Sequence, residues 1–323
     1  MLTALRCSSV KSKAANKKKR VIIIVIAVLV FFFVLGPMAA APIIYESLFG
    51  GRIEADPSEE FHIEDFENLA RERYTFTSDR GDELVGYMYH NELVPEEDVI
   101  GTVVLGHGFG GGGQRTYMDV TAELAENGFD VFAYDATGND ESAGKSVIGM
   151  PHGVKDLDYA IDFVEATFAE DDIFLWGHSW GAYCASAVLT EHPEVKAVCA
   201  VAGMNTSLEA MVSKAESYAG PVVDAGIPFL AAYQSIRCGK GAGISSLDGF
   251  AASDADVVIV QSKDDDTVPL KIGYDKYYEL YANDPRFTFI LFDDRGHSAY
   301  REESLDKDLF ETIIEEFVAA ADR

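Results

Sequence analysis

The sequence predicts an α/β domain, a mostly parallel sheet covered by helices on both faces, preceded by one membrane-spanning helix. Three observations carry this reading. From Tyr74 onward, short apolar runs alternate with amphipathic segments in the order strand, loop, helix. The residues with chemical potential fall just after predicted strands, where such sheets gather their reactive groups. Ahead of all this stands an unbroken apolar run, Val21 to Leu35.

The apolar run continues past Gly36 and Pro37 to Ile44, so residues 21–44 are long enough to cross a bilayer core of about 30 Å. Seven basic residues (Arg6, Lys11, Lys13, Lys17, Lys18, Lys19, Arg20) and no acid precede it. The positive-inside rule puts residues 1–20 in the cytoplasm as a basic tail and the rest of the chain outside. A cleaved signal peptide is the alternative. Ala39-Ala40-Ala41 offers small residues for cleavage, but Pro42 would follow the cut. Residues 45–72 are acidic and lack a strand pattern, and read as a stalk with a short helix near 61–71. The remainder, 73–323, reads as the main domain.

The net charge of −28 understates the acidity of that domain. Without the basic tail, 19 basic residues face 54 acidic ones, a net of −35. Such a body repels nucleic acid and anionic lipid, so no nucleic-acid partner is expected. The four cysteines (Cys7, Cys184, Cys199, Cys238) show neither CxxC nor zinc spacing. Cys184 and Cys199 read as small buried hydrophobes.

Tyr74–Thr77 and Leu84–Tyr89 flank a Gly81-Asp82 turn and read as a hairpin. Predicted strands follow at Gly101–Leu105, Phe129–Tyr134, Asp172–Trp176, Val195–Val201, Val257–Gln261 and Phe287–Phe292. Helices are predicted at 115–127, 152–168, 180–190, 270–282 and 304–321. The 152–168 helix repeats apolar residues at helical spacing, at Val154, Leu157, Ala160, Ile161 and Val164.

Gly177-His178-Ser179-Trp180-Gly181 is a GxSxG sequence between a predicted strand and a predicted helix. A serine hydroxyl is a poor nucleophile unless it is exposed, oriented and paired with a base. A sharp strand-to-helix turn supplies the exposure, and its glycines permit the close approach. On these residues the region from about 74 to 322 resembles the α/β-hydrolase family, in particular its monoglyceride-lipase-like and serine-aminopeptidase-like members.

The resemblance implies further roles. His107-Gly108-Phe109-Gly110 matches the family's HGxG loop, which implies that the Phe109 amide is one oxyanion-hole donor and the Trp180 amide the other. Val268-Pro269 matches a family pattern with an aspartate three residues before the valine. That register gives Asp265, with Asp264 and Asp266 as neighbours that could replace it; Ser262 stands where the family commonly has glycine. Gly296-His297 matches the loop that carries the family's histidine. The chain order Ser179, Asp265, His297 is the order this fold requires. His178 is expected to face away from the site. Asp135–Ser142 resembles a family loop with Thr137 replacing arginine and Asp140 replacing glycine, and reads as framing the pocket. Residues 204–252 interrupt the alternation where the family carries a small helical cap. Its apolar Ile227, Phe229 and Leu230 either line a pocket or pack the cap on the core.

The implied activity is hydrolysis of an ester, thioester or amide of a small-molecule or lipid-like acyl substrate through an acyl-enzyme, with no cofactor and no metal. A carboxylesterase or lipase-like enzyme comes first. A serine peptidase, an acyltransferase and a non-catalytic adhesion or scaffold domain are the alternatives. Oligomeric state is not legible.

Overall fold

The computed structural model describes residues 17–58, 60–78, 80–110, 112–168, 172–298 and 307–323. Most of the basic tail (1–16), Cys7, Gly111 and the first residues of the predicted 304–321 helix lie outside the described residues.

One eight-stranded sheet organises the domain: β1 (Leu69–Thr77), β2 (Glu83–Asn91), β3 (Gly101–Gly106), β4 (Phe129–Asp135), β5 (Ile173–His178), β6 (Ala197–Val201), β7 (Asp256–Ser262) and β8 (Phe287–Phe292). The spatial order is β1-β2-β4-β3-β5-β6-β7-β8. β2 is antiparallel to both β1 and β4, and all the later pairings are parallel. β3, β5 and β6 are buried along their whole length. That is why they read as continuous apolar runs without alternation: both faces of a central parallel strand are covered.

Two hydrophobic clusters form the core, one on each face of the sheet. The first collects Val154, Leu157 and Ile161 from helix Met150–Thr167, Trp180 and Tyr183 from helix Trp180–Ala187, and Phe250 from helix Ser246–Ala252. The second collects Met118 and Leu124 from helix Met118–Glu126, and Ile313 and Phe317 from helix Lys307–Ala321. Phe317 and Leu124 are fully buried, a burial worth about 1.5–3 kcal/mol for each side chain. Cys184, Cys199 and Cys238 are buried free thiols.

Among the described residues one helix, Lys17–Phe49, is long and apolar enough to cross a membrane. At 1.5 Å per residue it is about 50 Å long. It is exposed throughout its first part, Val21 to Leu35. Its ladder widens into a π turn at Phe31–Leu35, where the Gly36 N–H donates to the Phe31 carbonyl. Pro37 is the local cause: it brings no N–H, and its ring crowds the carbonyl of Phe33 one turn back.

The segment expected as a stalk packs on the domain instead. The helix runs on to Phe49, and Tyr45 and Phe49 are buried. Beyond it, the chain lies along residues 136–148. Ile53 pairs with Asn139 in a parallel bridge. Arg52 donates to the carbonyls of Asp140 (2.7 Å), Ser142 (2.9 Å) and Gly144 (2.9 Å). A strap held by backbone groups and one guanidinium has no hydrophobic period, so no pattern announces it. The helix expected near 61–71 is only a 3-10 turn at Ile63–Asp65, followed at once by β1.

Between β6 and β7 the chain leaves the sheet as a helical cap: Ser207–Ala219, Ile227–Cys238, two 3-10 stretches and Ser246–Ala252. The N-terminal helix packs against this cap. Glu46 joins Arg237 (2.8 Å) and accepts from the Tyr233 hydroxyl (2.8 Å), and the Tyr45 hydroxyl meets Cys238 Sγ at 3.3 Å.

Candidate active site

Ser179 sits between the end of β5 and helix Trp180–Ala187 with φ 55° and ψ −110°. A non-glycine residue held there stores strain of about 1–3 kcal/mol, which its surroundings must impose. The turn closes only because its neighbours lack side chains. A Cβ on Gly177 would lie 2.4 Å from Gly181 C, and one on Gly181 would lie 1.9 Å from the Gly106 carbonyl oxygen. The serine is thereby lifted to the carboxyl end of the sheet, at the N-terminus of the helix that follows.

There Ser179 Oγ lies 2.9 Å from His297 Nε2, and His297 Nδ1 lies 2.8 Å from Asp265 Oδ2. Three residues far apart in sequence thus form one hydrogen-bonded chain. The Asp265 carboxylate is buried and fully engaged. Oδ1 accepts from the Thr267 and Val268 amides, both at 2.8 Å, and Oδ2 also accepts from Gln261 Nε2 at 2.9 Å. Gln261 donates as well to the Val268 carbonyl (2.8 Å), fixing the turn that carries the aspartate.

The neighbouring acids do different work. Asp264 accepts from the Gly296 amide (2.8 Å) and the Ser262 hydroxyl (2.6 Å), and these donors hold its carboxyl below the usual range, the hydroxyl foremost. Ser262 in turn accepts from the Arg295 amide at 2.8 Å. Serine at the position where glycine was expected therefore anchors the loop bearing His297. Asp266 is exposed and, among the described residues, accepts a hydrogen bond from Thr267 alone.

The predicted oxyanion residues lie together. Trp180 supplies the first amide of its helix, which the helix's own ladder leaves without a partner. Its ring stacks edge-on with Phe109 at 5.8 Å and with His107 at 5.4 Å. The loop is braced from below. His107 Nε2 accepts from the Ala136 amide (3.0 Å), which makes Nδ1 the donor to the Gly108 carbonyl (2.9 Å). Burial pulls the His107 pKa down, in keeping with this neutral tautomer. At the loop's exit, Asp135 Oδ1 accepts from the Gln114 amide at 2.9 Å; burial pushes this carboxyl up to about 7.

His178 corrects the sequence reading: it turns towards the site. The Gly108 amide donates to the Tyr117 hydroxyl (2.8 Å), which occupies that oxygen as an acceptor. The hydroxyl proton then goes to His178 Nδ1 (2.9 Å), and His178 Nε2–H donates to the backbone carbonyl of His297 (2.9 Å). One relay joins the HGxG loop to the histidine loop. Nothing in the sequence marks Tyr117. Gln261 left a faint signal, a polar residue at the end of an apolar strand.

The fold and this site define an α/β-hydrolase. Over residues 97–268, just over half of its length, the chain matches the family described as serine aminopeptidase, S33, and it belongs to that family. It is a serine hydrolase. Among solved structures it is similar to an esterase of Pyrococcus furiosus (16% identity, TM-score 0.62, covering 83% of this chain and 95% of that one). It is similar also to the acylaminoacyl peptidase of Pyrococcus horikoshii (17%, TM-score 0.59, covering 80% of this chain and 43% of that one). A lipase in its open form aligns at 19% identity and TM-score 0.56, over 79% of this chain and 100% of that one. At such identities the likeness is one of fold. No curated protein matches the chain.

Proposed function

We propose that this protein is a membrane-anchored, exported serine hydrolase that cleaves an ester, thioester or amide through an acyl-enzyme, with carboxylesters of lipid-like character as its first substrate class. The observation that carries the reading is the hydrogen-bonded chain from Ser179 Oγ through His297 to Asp265. Ser179 Oγ attacks the carbonyl carbon while His297 Nε2 takes its proton. Asp265 holds Nδ1–H and stabilises the imidazolium. The carbonyl oxygen becomes an alkoxide facing the Phe109 and Trp180 amides. The tetrahedral adduct collapses, the carbon–leaving-group bond breaks, and His297 returns the proton to the departing atom. Water then repeats the sequence on the acyl-enzyme, releasing the acid and restoring Ser179.

Residues 21–44 are the proposed anchor and 1–20 its cytoplasmic tail, supported by the exposed apolar surface of the N-terminal helix and the basic residues before it. The main domain, 73–323 with its cap at about 204–252, then lies outside. A peptidase is the second reading, favoured by the description of the matching family as serine aminopeptidase.

The test uses the full chain in detergent, a fluorophosphonate probe, a series of p-nitrophenyl esters and a matching series of aminoacyl anilides. Labelling and ester turnover that disappear in Ser179→Ala are expected. Anilide turnover above ester turnover would favour the peptidase. Folded wild-type protein that is neither labelled nor active would overturn the hydrolase mechanism.

A further inference from the structure

A cavity of about 460 Å³ lies apart from the Ser179 site. It lies between the N-terminal helix and the cap. Pro37, Ala41, Ile44 and Leu48 form one wall. Met211, Val223 and Leu230 form the other, so Leu230 is here a lining residue. Among the described residues that line it, the one charged side chain is Lys214, whose ammonium lies 5.8 Å from the Tyr218 ring. A cavity with such walls offers ordered water few polar partners and favours hydrocarbon.

Its surroundings say which hydrocarbon. Ile43, Ile44 and Leu48 on the helix, and Tyr218 and Val222 on the cap, are exposed around it. Exposed apolar side chains on two elements beside a shared cavity mark an interaction surface. The patch is continuous, along one helix, with the exposed run Val21–Leu35, long enough with its extension to cross a bilayer. If that run is in lipid, the cavity opens at the edge of the bilayer.

We infer that this cavity takes one acyl chain of a membrane lipid, entering sideways from the bilayer between residues 37–48 and the cap. The inference rests on the membrane-anchored reading above and deepens it by naming a lipid that the cap and the N-terminal helix hold together. Lys214 suits a phosphate or carboxylate at the chain's polar end. The inner wall is connected to the chemistry: Met211 packs with Tyr45 and Phe49, and the Phe49 ring meets Phe109 edge-on at 5.4 Å. An occupied cavity therefore bears on the loop that carries one proposed oxyanion amide.

The experiment places the full chain in phosphatidylcholine nanodiscs containing a phosphatidylcholine with a diazirine in its acyl chain, irradiates, and maps adducts by mass spectrometry. Adducts are expected on residues 37–48 and 211–230 as well as on 21–35. Ala215 also lines the cavity; in Ala215→Trp, which fills it, the cap adducts should fall about tenfold or more while those on 21–35 persist. Adducts on 21–35 alone in the wild-type protein would overturn the inference, whatever the variant does. So would a folded Ala215→Trp protein that keeps its cap adducts. Fluorophosphonate labelling of the same sample separates the two readings. Labelling without cap adducts sinks the acyl-chain site alone, and cap adducts without labelling sink the hydrolase mechanism alone.

Discussion

His178 Nε2 donates to the backbone carbonyl of His297 across 118 intervening residues, at 2.9 Å. The residue beside the proposed nucleophile thus holds the loop of the proposed base. Through Tyr117 it also holds Gly108, next to Phe109.

His178 therefore acts as a positioning residue, and His178→Phe should lower kcat about 10- to 100-fold with KM little changed. Tyr117→Phe, which removes the hydroxyl at the centre of the relay, should show the same split to a smaller degree. Steady-state kinetics on a short p-nitrophenyl ester measure both. Equal losses in kcat and 1/KM would mean that the relay serves binding rather than alignment.

The three adjacent acids separate cleanly. Asp265→Asn should reduce kcat about 10⁴-fold, because it leaves His297 Nδ1–H without a carboxylate to orient and stabilise it. Asp264→Asn loses a charged acceptor for the Gly296 amide, and about a tenfold effect is expected. Asp266→Asn, exposed and among the described residues bonded to Thr267 alone, should leave the rate unchanged. The order of the three rates is the readout.

Gly181→Ala should destabilise the fold rather than merely slow the reaction. The new methyl would sit 1.9 Å from the Gly106 carbonyl oxygen, a backbone atom of β3 that cannot swing aside. Overpacking of this kind costs about 1–3 kcal/mol or more. Thermal denaturation should report a lower Tm; an unchanged Tm would mean that β3 and the elbow can part.

Away from the site, His192 lies between Asp158 (2.8 Å) and Glu194 (2.9 Å). Burial pulls its pKa down, and the two carboxylates more than offset this, pushing it up to about 9. In the unfolded chain it titrates near 6.5. The folded form therefore binds this proton more tightly, and the stabilisation is complete below about pH 6.5 and lost as pH rises through about 9. His192→Gln should lower Tm by roughly 2–4 °C at pH 6 and flatten its fall between pH 6.5 and 9. Parallel Tm–pH curves for the two proteins would refute the ion pair.

Much of this architecture was legible from residue order because strong local signals agreed. The elbow announces itself through Gly177 and Gly181, and the parallel strands through unbroken apolar runs. The brace around the site was not legible. His178, Tyr117 and Gln261 act through single hydrogen bonds to distant backbone atoms, and such bonds impose no period on the sequence. The strap at 49–56 escaped for the same reason. The direction of His178 was misread because the elbow's geometry says where Ser179 points and says little about the residue before it.

The buried join between Tyr45, Phe49 and the cap has a consequence for the proposed membrane-anchored form. A cut from 45 to 48 would leave Pro37, Ala41 and Ile44 with the anchor, take that wall away from the cap and place a free chain end beside Phe49. Shedding and silencing would then be one event: the fragment that diffuses away leaves with the proposed acyl cavity opened to water.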